Sequence, residues 1–216
     1  MGKKICYITG AGENWGIDFV PSANDYVIAV DGGLRYLQEA NVDADLVIGD
    51  FDTLGHCPSH PNVIRLNPQK DDTDMLAAVK EGIGMGFSVF HLYGGTGGRI
   101  DHTIANVQLL AFLSQNGRQG FLMDRNCVIT AITDCRLVFP ETAQGYLSVF
   151  SYTEKSEGVT LCGLKYELSK AVLSNTFPIG ISNEFRGVES SVSVESGTLL
   201  VVFPKDLLHQ LSTIFQ

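Results

Sequence analysis

Val89-Phe90-His91-Leu92-Tyr93-Gly94-Gly95-Thr96-Gly97-Gly98-Arg99-Ile100-Asp101-His102 passes from an apolar run through a glycine-rich turn into a polar start. Val89–Tyr93 reads as a strand with both faces covered, and Asp101–Ser114 as the helix that follows it. The glycines between them let backbone N–H groups come close to an anion. Arg99 adds a charge-assisted and potentially bidentate contact to phosphate oxygens, and Asp101 faces the same place. The spacing is neither G-x-x-x-x-G-K-[ST] nor G-x-G-x-x-G, so neither the P-loop nor the dinucleotide fingerprint applies. His102, at the helix start, fits either an acid–base role or simple capping and packing.

The same grammar extends outward on both sides. Lys4–Thr9, Tyr26–Asp31, Leu46–Asp50, Val63–Asn67 and Gly120–Asp124 read as further strands, with helices over Gly33–Ala40 and Asp74–Gly82. Short apolar strands alternating with helices predict a parallel sheet, and ligands of such sheets bind outside the strands' carboxyl ends. Carboxylates collect at those ends: Asp31, then Gly49-Asp50-Phe51-Asp52-Thr53, then Asp71-Asp72-Thr73-Asp74. Crowded acids repel unless a cation lies between them, and Mg²⁺ is the usual choice where phosphates are handled. Asp50 and Asp52, two apart, point the same way in an extended segment. Each motif has a plainer reading. Asp also serves turns, and Asp71–Asp74 also reads as a helix cap with acids in the first turn. Gly10-Ala11-Gly12-Glu13-Asn14-Trp15 is only an incomplete dinucleotide fingerprint, which leaves that function minor.

Beyond about Cys127 the pattern changes. Val128–Thr133, Arg136–Phe139, Tyr146–Tyr152, Gly158–Gly163, Tyr166–Leu173, Ser190–Glu195 and Thr198–Phe203 are closely spaced short strands separated by turn residues. That rhythm predicts an antiparallel sandwich or small barrel. Ser191-Val192-Ser193-Val194 alternates strictly, so one face of that strand is expected to be wet. The expected division is 1–125 for the α/β domain and 126–216 for the β domain.

Composition narrows the function classes. The chain has 216 residues and a formal net charge of −9, which argues against non-specific nucleic-acid binding. No apolar run approaches the ~18 residues of a membrane span, and the apolar start is too short for a signal peptide. Five cysteines without a C-x-x-C pair argue against zinc and disulfides, and fit a reducing cytoplasm.

Taken together, Asp31-Gly32-Gly33, Gly49–Thr53, Asp71–Asp74, Gly97–His102 and Gly180-Ile181-Ser182-Asn183-Glu184 resemble thiamine pyrophosphokinases in identity, order and spacing. The resemblance implies an N-terminal Rossmann-like catalytic domain and a C-terminal β-sandwich for thiamine binding and dimerisation. It implies transfer of the β,γ-diphosphate of ATP to the hydroxyl of thiamine, giving thiamine diphosphate and AMP. Asp50, Asp52 and Asp74 would hold Mg²⁺. Asp72, Thr73, Gly97, Gly98, Arg99 and Asp101 would surround the triphosphate, with Asp31 on the nucleotide side. Asp74, Arg99 and Asp101 form the implied catalytic set, with Asp74 or Asp101 as proton acceptor. Ser182 and Asn183 would contact thiamine across a homodimer interface. Thr53 replaces the family's common Ser, and the lone Trp15 is far from the second half, where Phe185 or Tyr166 would have to stack instead. The alternatives are a pyrophosphokinase of another hydroxymethyl compound, such as a pterin, and a non-catalytic nucleotide- or thiamine-binding module.

Overall fold

A computed structural model of the chain describes residues 4–51, 57–67, 69 and 71–215. It divides into two compact units, one of residues 1–109 with 120–124 and one of residues 110–119 with 125–216.

The first unit contains β1 (Ile5–Thr9), β2 (Tyr26–Val30), α1 (Gly33–Glu39), β3 (Leu46–Gly49), β4 (Val63–Arg65), α2 (Asp74–Gly84), β5 (Val89–Tyr93) and β6 (Gln119–Met123). Helix α3 (Ile100–Gln115) begins in it. Its strands lie in the order β6-β5-β1-β2-β3-β4, and β5-β1, β1-β2, β2-β3 and β3-β4 are all parallel. β1, β2, β3 and β5 are buried almost without interruption, as their apolar sequences require when both faces are covered. Ile8, Ile28, Ile48, Phe90 and Leu92 form the centre of this core. β4 is a three-residue edge strand, shorter than its sequence suggests, and its residues are only part-buried or exposed. From β1 the chain moves outward through β2, β3 and β4, then returns to place β5 on β1's other side. A crevice therefore opens at the carboxyl ends of β1 and β5, where connections leave in opposite directions.

The second unit contains β7 (Cys127–Thr133), β8 (Cys135–Phe139), β9 (Tyr146–Ser151), β10 (Lys155–Cys162), β11 (Leu168–Ser174), β12 (Asn183–Glu184), β13 (Ser190–Ser193), β14 (Thr198–Pro204) and β15 (Ser212–Phe215). They form an arrangement β12-β9-β14-β7 and a separate sheet β11-β10-β13-β8-β15. The pairings β7-β14-β9-β12 and β11-β10-β13-β8-β15 are antiparallel. Burial alternates along β8, β9 and β14, so each has one inward face. The inward rings of Phe139 on β8 and Phe203 on β14 meet edge to face with centroids 5.4 Å apart.

The wet face expected along Ser191–Val194 is only partly present. β13 lies between β10 and β8; Ser193 is half-buried, but Ser191 is buried along with Val192, Val194 and the preceding Ser190. Ser190 Oγ is satisfied by the carbonyls of Gly163 (2.9 Å) and Val188 (3.0 Å). A small hydroxyl with backbone partners is cheap to bury, so Ser alternation does not reliably mark solvent.

Candidate active site

The crevice predicted by the strand order is a cavity of about 670 Å³. Every strand-end segment of the first unit that carries a candidate acid and is described contributes to it. Gly10–Glu13 follow β1, Val30 and Asp31 end β2, and Asp50 follows β3. Asp72, Thr73, Asp74 and Met75 supply the start of α2, and Gly94–Arg99 the turn after β5. His102 and Asn106 come from α3.

Backbone bonds knit the two central loops together. Gly10 N donates to Tyr93 O (2.8 Å), Gly12 N to Gly94 O (2.8 Å) and Glu13 N to Thr96 O (3.1 Å), which continues the β1–β5 ladder beyond the strands. Gly94 has φ +59°, and a Cβ there would lie 2.3 Å from the Gly10 carbonyl oxygen. The approach is possible only without a side chain. Tyr36 on α1 donates its hydroxyl to Gly12 O (3.0 Å), and Asn106 Nδ2 donates to Gly95 O (2.7 Å). Thr96 Oγ1 accepts from Trp15 Nε1 (3.2 Å) and donates to Asp124 Oδ1 (2.9 Å). The glycine turn is thus held from both sides before any ligand arrives.

Asp31 has φ +46° and donates its N–H to Ile48 O (2.9 Å). Phe51, next to Asp50, has φ +62° although its ring is buried. A bulky side chain in the left-handed region is strained, and such strain concentrates at functional sites. Thr73 caps α2: its Oγ1 accepts from Leu76 N at 3.2 Å. The cap fixes the first turn of α2, with Asp74 in it, and capping leaves Asp72, Thr73 and Asp74 lining the cavity. Asp72 is ion-paired with Lys80 at 2.6 Å.

Arg99 lines the cavity and pairs with Asp101 through two contacts, Nη2–Oδ2 at 2.5 Å and Nε–Oδ1 at 3.3 Å. Arg99 therefore holds the Asp101 carboxyl below its ordinary range, helped by the His102 N–H, while Asp101 raises the guanidinium. Asp101 is not itself among the cavity-lining residues. Asp52 and Thr53 lie outside the described residues.

Ser182 and Asn183 belong to the second unit. Ser182 is exposed with φ +58°, and its N–H donates to Ser148 Oγ (3.0 Å). Asn183 is buried: its Oδ1 accepts from Tyr166 N (2.9 Å) and its Nδ2 donates to Tyr166 O (2.7 Å). Its side chain fixes the Tyr166 loop.

Glu13 and Tyr36 are cavity residues that sequence motifs did not single out. The incomplete fingerprint of Gly10-Ala11-Gly12 marked only the loop, which approaches the β5 turn instead of forming a dinucleotide turn.

Two family descriptions match the chain. "Thiamin pyrophosphokinase, catalytic domain" matches residues 20–122, and "Thiamin pyrophosphokinase, vitamin B1 binding domain" matches residues 134–199. The chain belongs to the thiamine pyrophosphokinase family. A thiamine pyrophosphokinase of Bacillus subtilis (strain 168) is 24% identical over 213 residues, covering 94% of this chain and all (100%) of the relative. The crystal structure of thiamine pyrophosphokinase from Bacillus subtilis superposes with a TM-score of 0.82 at 25% identity, over 95% of this chain and 100% of that one. A thiamin pyrophosphokinase family protein from Enterococcus faecalis gives a TM-score of 0.79 at 29% identity, with coverage of 94% and 100%. Within the thiamine pyrophosphokinase match, Asp31 through Asn106 of the cavity fall in the catalytic-domain segment, and Ser182 and Asn183 fall in the vitamin B1 segment.

Proposed function

We infer that this protein transfers the β,γ-diphosphate of ATP to the hydroxyl of thiamine, yielding thiamine diphosphate and AMP. One observation carries the reading. The strand-end cavity combines aligned carboxylates with a glycine turn and Arg99, in a chain whose two segments match the two domains of one pyrophosphokinase family. The vitamin B1 match favours thiamine over a pterin alcohol, and catalysis over a bare binding module.

In this reading Gly97, Gly98 and Arg99 meet the phosphate oxygens, with Asp72, Thr73 and Asp101 around them and Asp31 on the nucleotide side. Such transfer needs mainly alignment and neutralisation of charge, which fixed amides and a guanidinium supply. Among the described residues no three His, Cys, Asp or Glu side chains form a ready metal cage. Mg²⁺ needs no closed protein cage: carboxylates supply part of its octahedron, and water and substrate phosphates the rest. Asp50 and Asp74, which line the cavity, would hold it together with Asp52. Bound there, Mg²⁺ supplies neutralisation of the triphosphate charge. Asp74 lines the cavity and Asp101, paired with Arg99, does not, so Asp74 is the better-placed acceptor for the alcohol proton.

The second unit serves as a β-sandwich, and thiamine lies at a homodimer interface against Ser182 of the partner subunit, with Asn183 of the partner subunit shaping that wall. Exposed Tyr146, Phe177, Ile179 and Ile181 in the second unit support a covered face. Among the described residues no helix is long and apolar enough to cross a membrane; the five cysteines without a C-x-x-C pair support work in the reducing cytoplasm. The test is to incubate the protein with ATP, thiamine and Mg²⁺ and to separate AMP from thiamine diphosphate. Equimolar formation of both is expected. Consumption of ATP with a pterin alcohol but not with thiamine would refute the assignment.

A further inference from the structure

The glycine turn already carries a carboxylate. Glu13 Oε1 accepts a hydrogen bond from Gly98 N at 3.1 Å, across 85 positions of sequence. Gly97 (φ +75°) and Gly98 (φ +57°) are both left-handed. A Cβ built on Gly97 would lie 2.6 Å from the Glu13 carboxyl carbon, so the acid lies directly across the turn. The backbone puts it there: Gly12 N and Glu13 N are tied to Gly94 O and Thr96 O. The neighbouring cations are engaged in the same way, Arg99 by Asp101 (2.5 Å) and Lys80 by Asp72 (2.6 Å).

A carboxylate oxygen on an exposed amide uses the chemistry of a phosphate oxygen on that amide. We propose that Glu13 is a ligand-discriminating residue, an internal competitor for the phosphate position at Gly98. This rests on the pyrophosphokinase reading, which assigns that amide to the triphosphate. A triphosphate displaces Glu13 because it gains contacts at several other donors. A monophosphate offers too few contacts to do so. Glu13 thus lowers the affinity of the cavity for every phosphate and, after transfer, favours departure of AMP.

The test compares wild type, Glu13→Gln and Glu13→Ala by calorimetric titration with inorganic tripolyphosphate and with AMP, Mg²⁺ being present throughout. Glu13→Gln keeps the shape and an acceptor but removes the charge. Both variants are expected to bind tripolyphosphate about fivefold tighter, the scale of one charge-assisted bond exposed to water. They also show a lower KM for ATP and stronger inhibition by AMP. A purely structural Glu13 would instead give weaker binding together with a lower Tm. Unchanged or weaker tripolyphosphate binding by folded Glu13→Gln, in a protein whose wild type turns over thiamine, overturns this proposal and leaves the reaction standing. Failure of the wild type to bind tripolyphosphate at all overturns both.

Discussion

Asp50 and Asp74 carry the sharpest expectation at the scale of single residues. Both line the cavity, at the end of β3 and in the first turn of α2. Replacing either by Asn keeps the shape and removes a charge that the proposed metal–triphosphate complex would use. Turnover with thiamine and ATP should fall at least about a hundredfold, the usual cost of losing one preorganised electrostatic contact. Both variants should stay folded, with melting temperatures close to that of the wild type. Near-normal turnover in either folded variant would remove it from the site. These acids were readable in the sequence because they sit beside predicted strand ends, and the α/β fold turns that position into proximity. Glu13 was not readable in this way. Its meaning comes from a contact with Gly98, and no local pattern announces a partner 85 positions away.

Elements differ in how well composition revealed them. β1, β2, β3 and β5 were legible because a fully covered parallel strand is apolar throughout. β12, with two residues, and β15, after a 3₁₀ turn over Lys205–Leu207, were not anticipated; each exists only by pairing, with β9 and β8 respectively. The same covered sheet predicts a pH response. Burial pushes the Cys6 thiol on β1 up to about 12 from 9.0, with the charge of Asp45 adding to the rise. Burial likewise raises the hydroxyls of Tyr7, Tyr26 and Tyr93, with nearby Asp charges adding to it. All these groups ionise earlier in the unfolded chain than in the folded one. Stability is therefore complete below about pH 9 and declines as pH rises through the folded values. Thermal melts from about pH 8 to about pH 10.5 should show Tm falling steadily, with a shallower fall in Cys6→Ala. A flat profile over that range would contradict the proton bookkeeping.

At the scale of the whole molecule, the second unit exposes the apolar side chains of Tyr146, Phe177, Ile179 and Ile181, and the site acids gather in the first. In the proposed homodimer the former are covered. Sedimentation velocity should then report a dimer. Phe177→Asp with Ile181→Asp, both on exposed side chains, should shift it toward monomer and raise KM for thiamine more than KM for ATP. A monomeric wild type with full activity would rule out a shared thiamine site. The net charge of −9 bears on the same scale. A polyanionic substrate approaches an acidic protein most readily with its charge partly neutralised, so cation-bound ATP is the better encounter partner.

The backbone bonds that carry the β1–β5 ladder past its strands have a consequence for isotope exchange. Gly10, Gly12 and Glu13 give their N–H groups to neighbouring carbonyls, whereas Gly98 gives its own to a side chain. Deuterium should therefore enter slowly at the first three, with ligand present or absent, and quickly at Gly98 until a phosphate replaces Glu13. The two loops thus supply a fixed clock and a moving hand, and the contrast between them measures site occupancy without a label on the substrate.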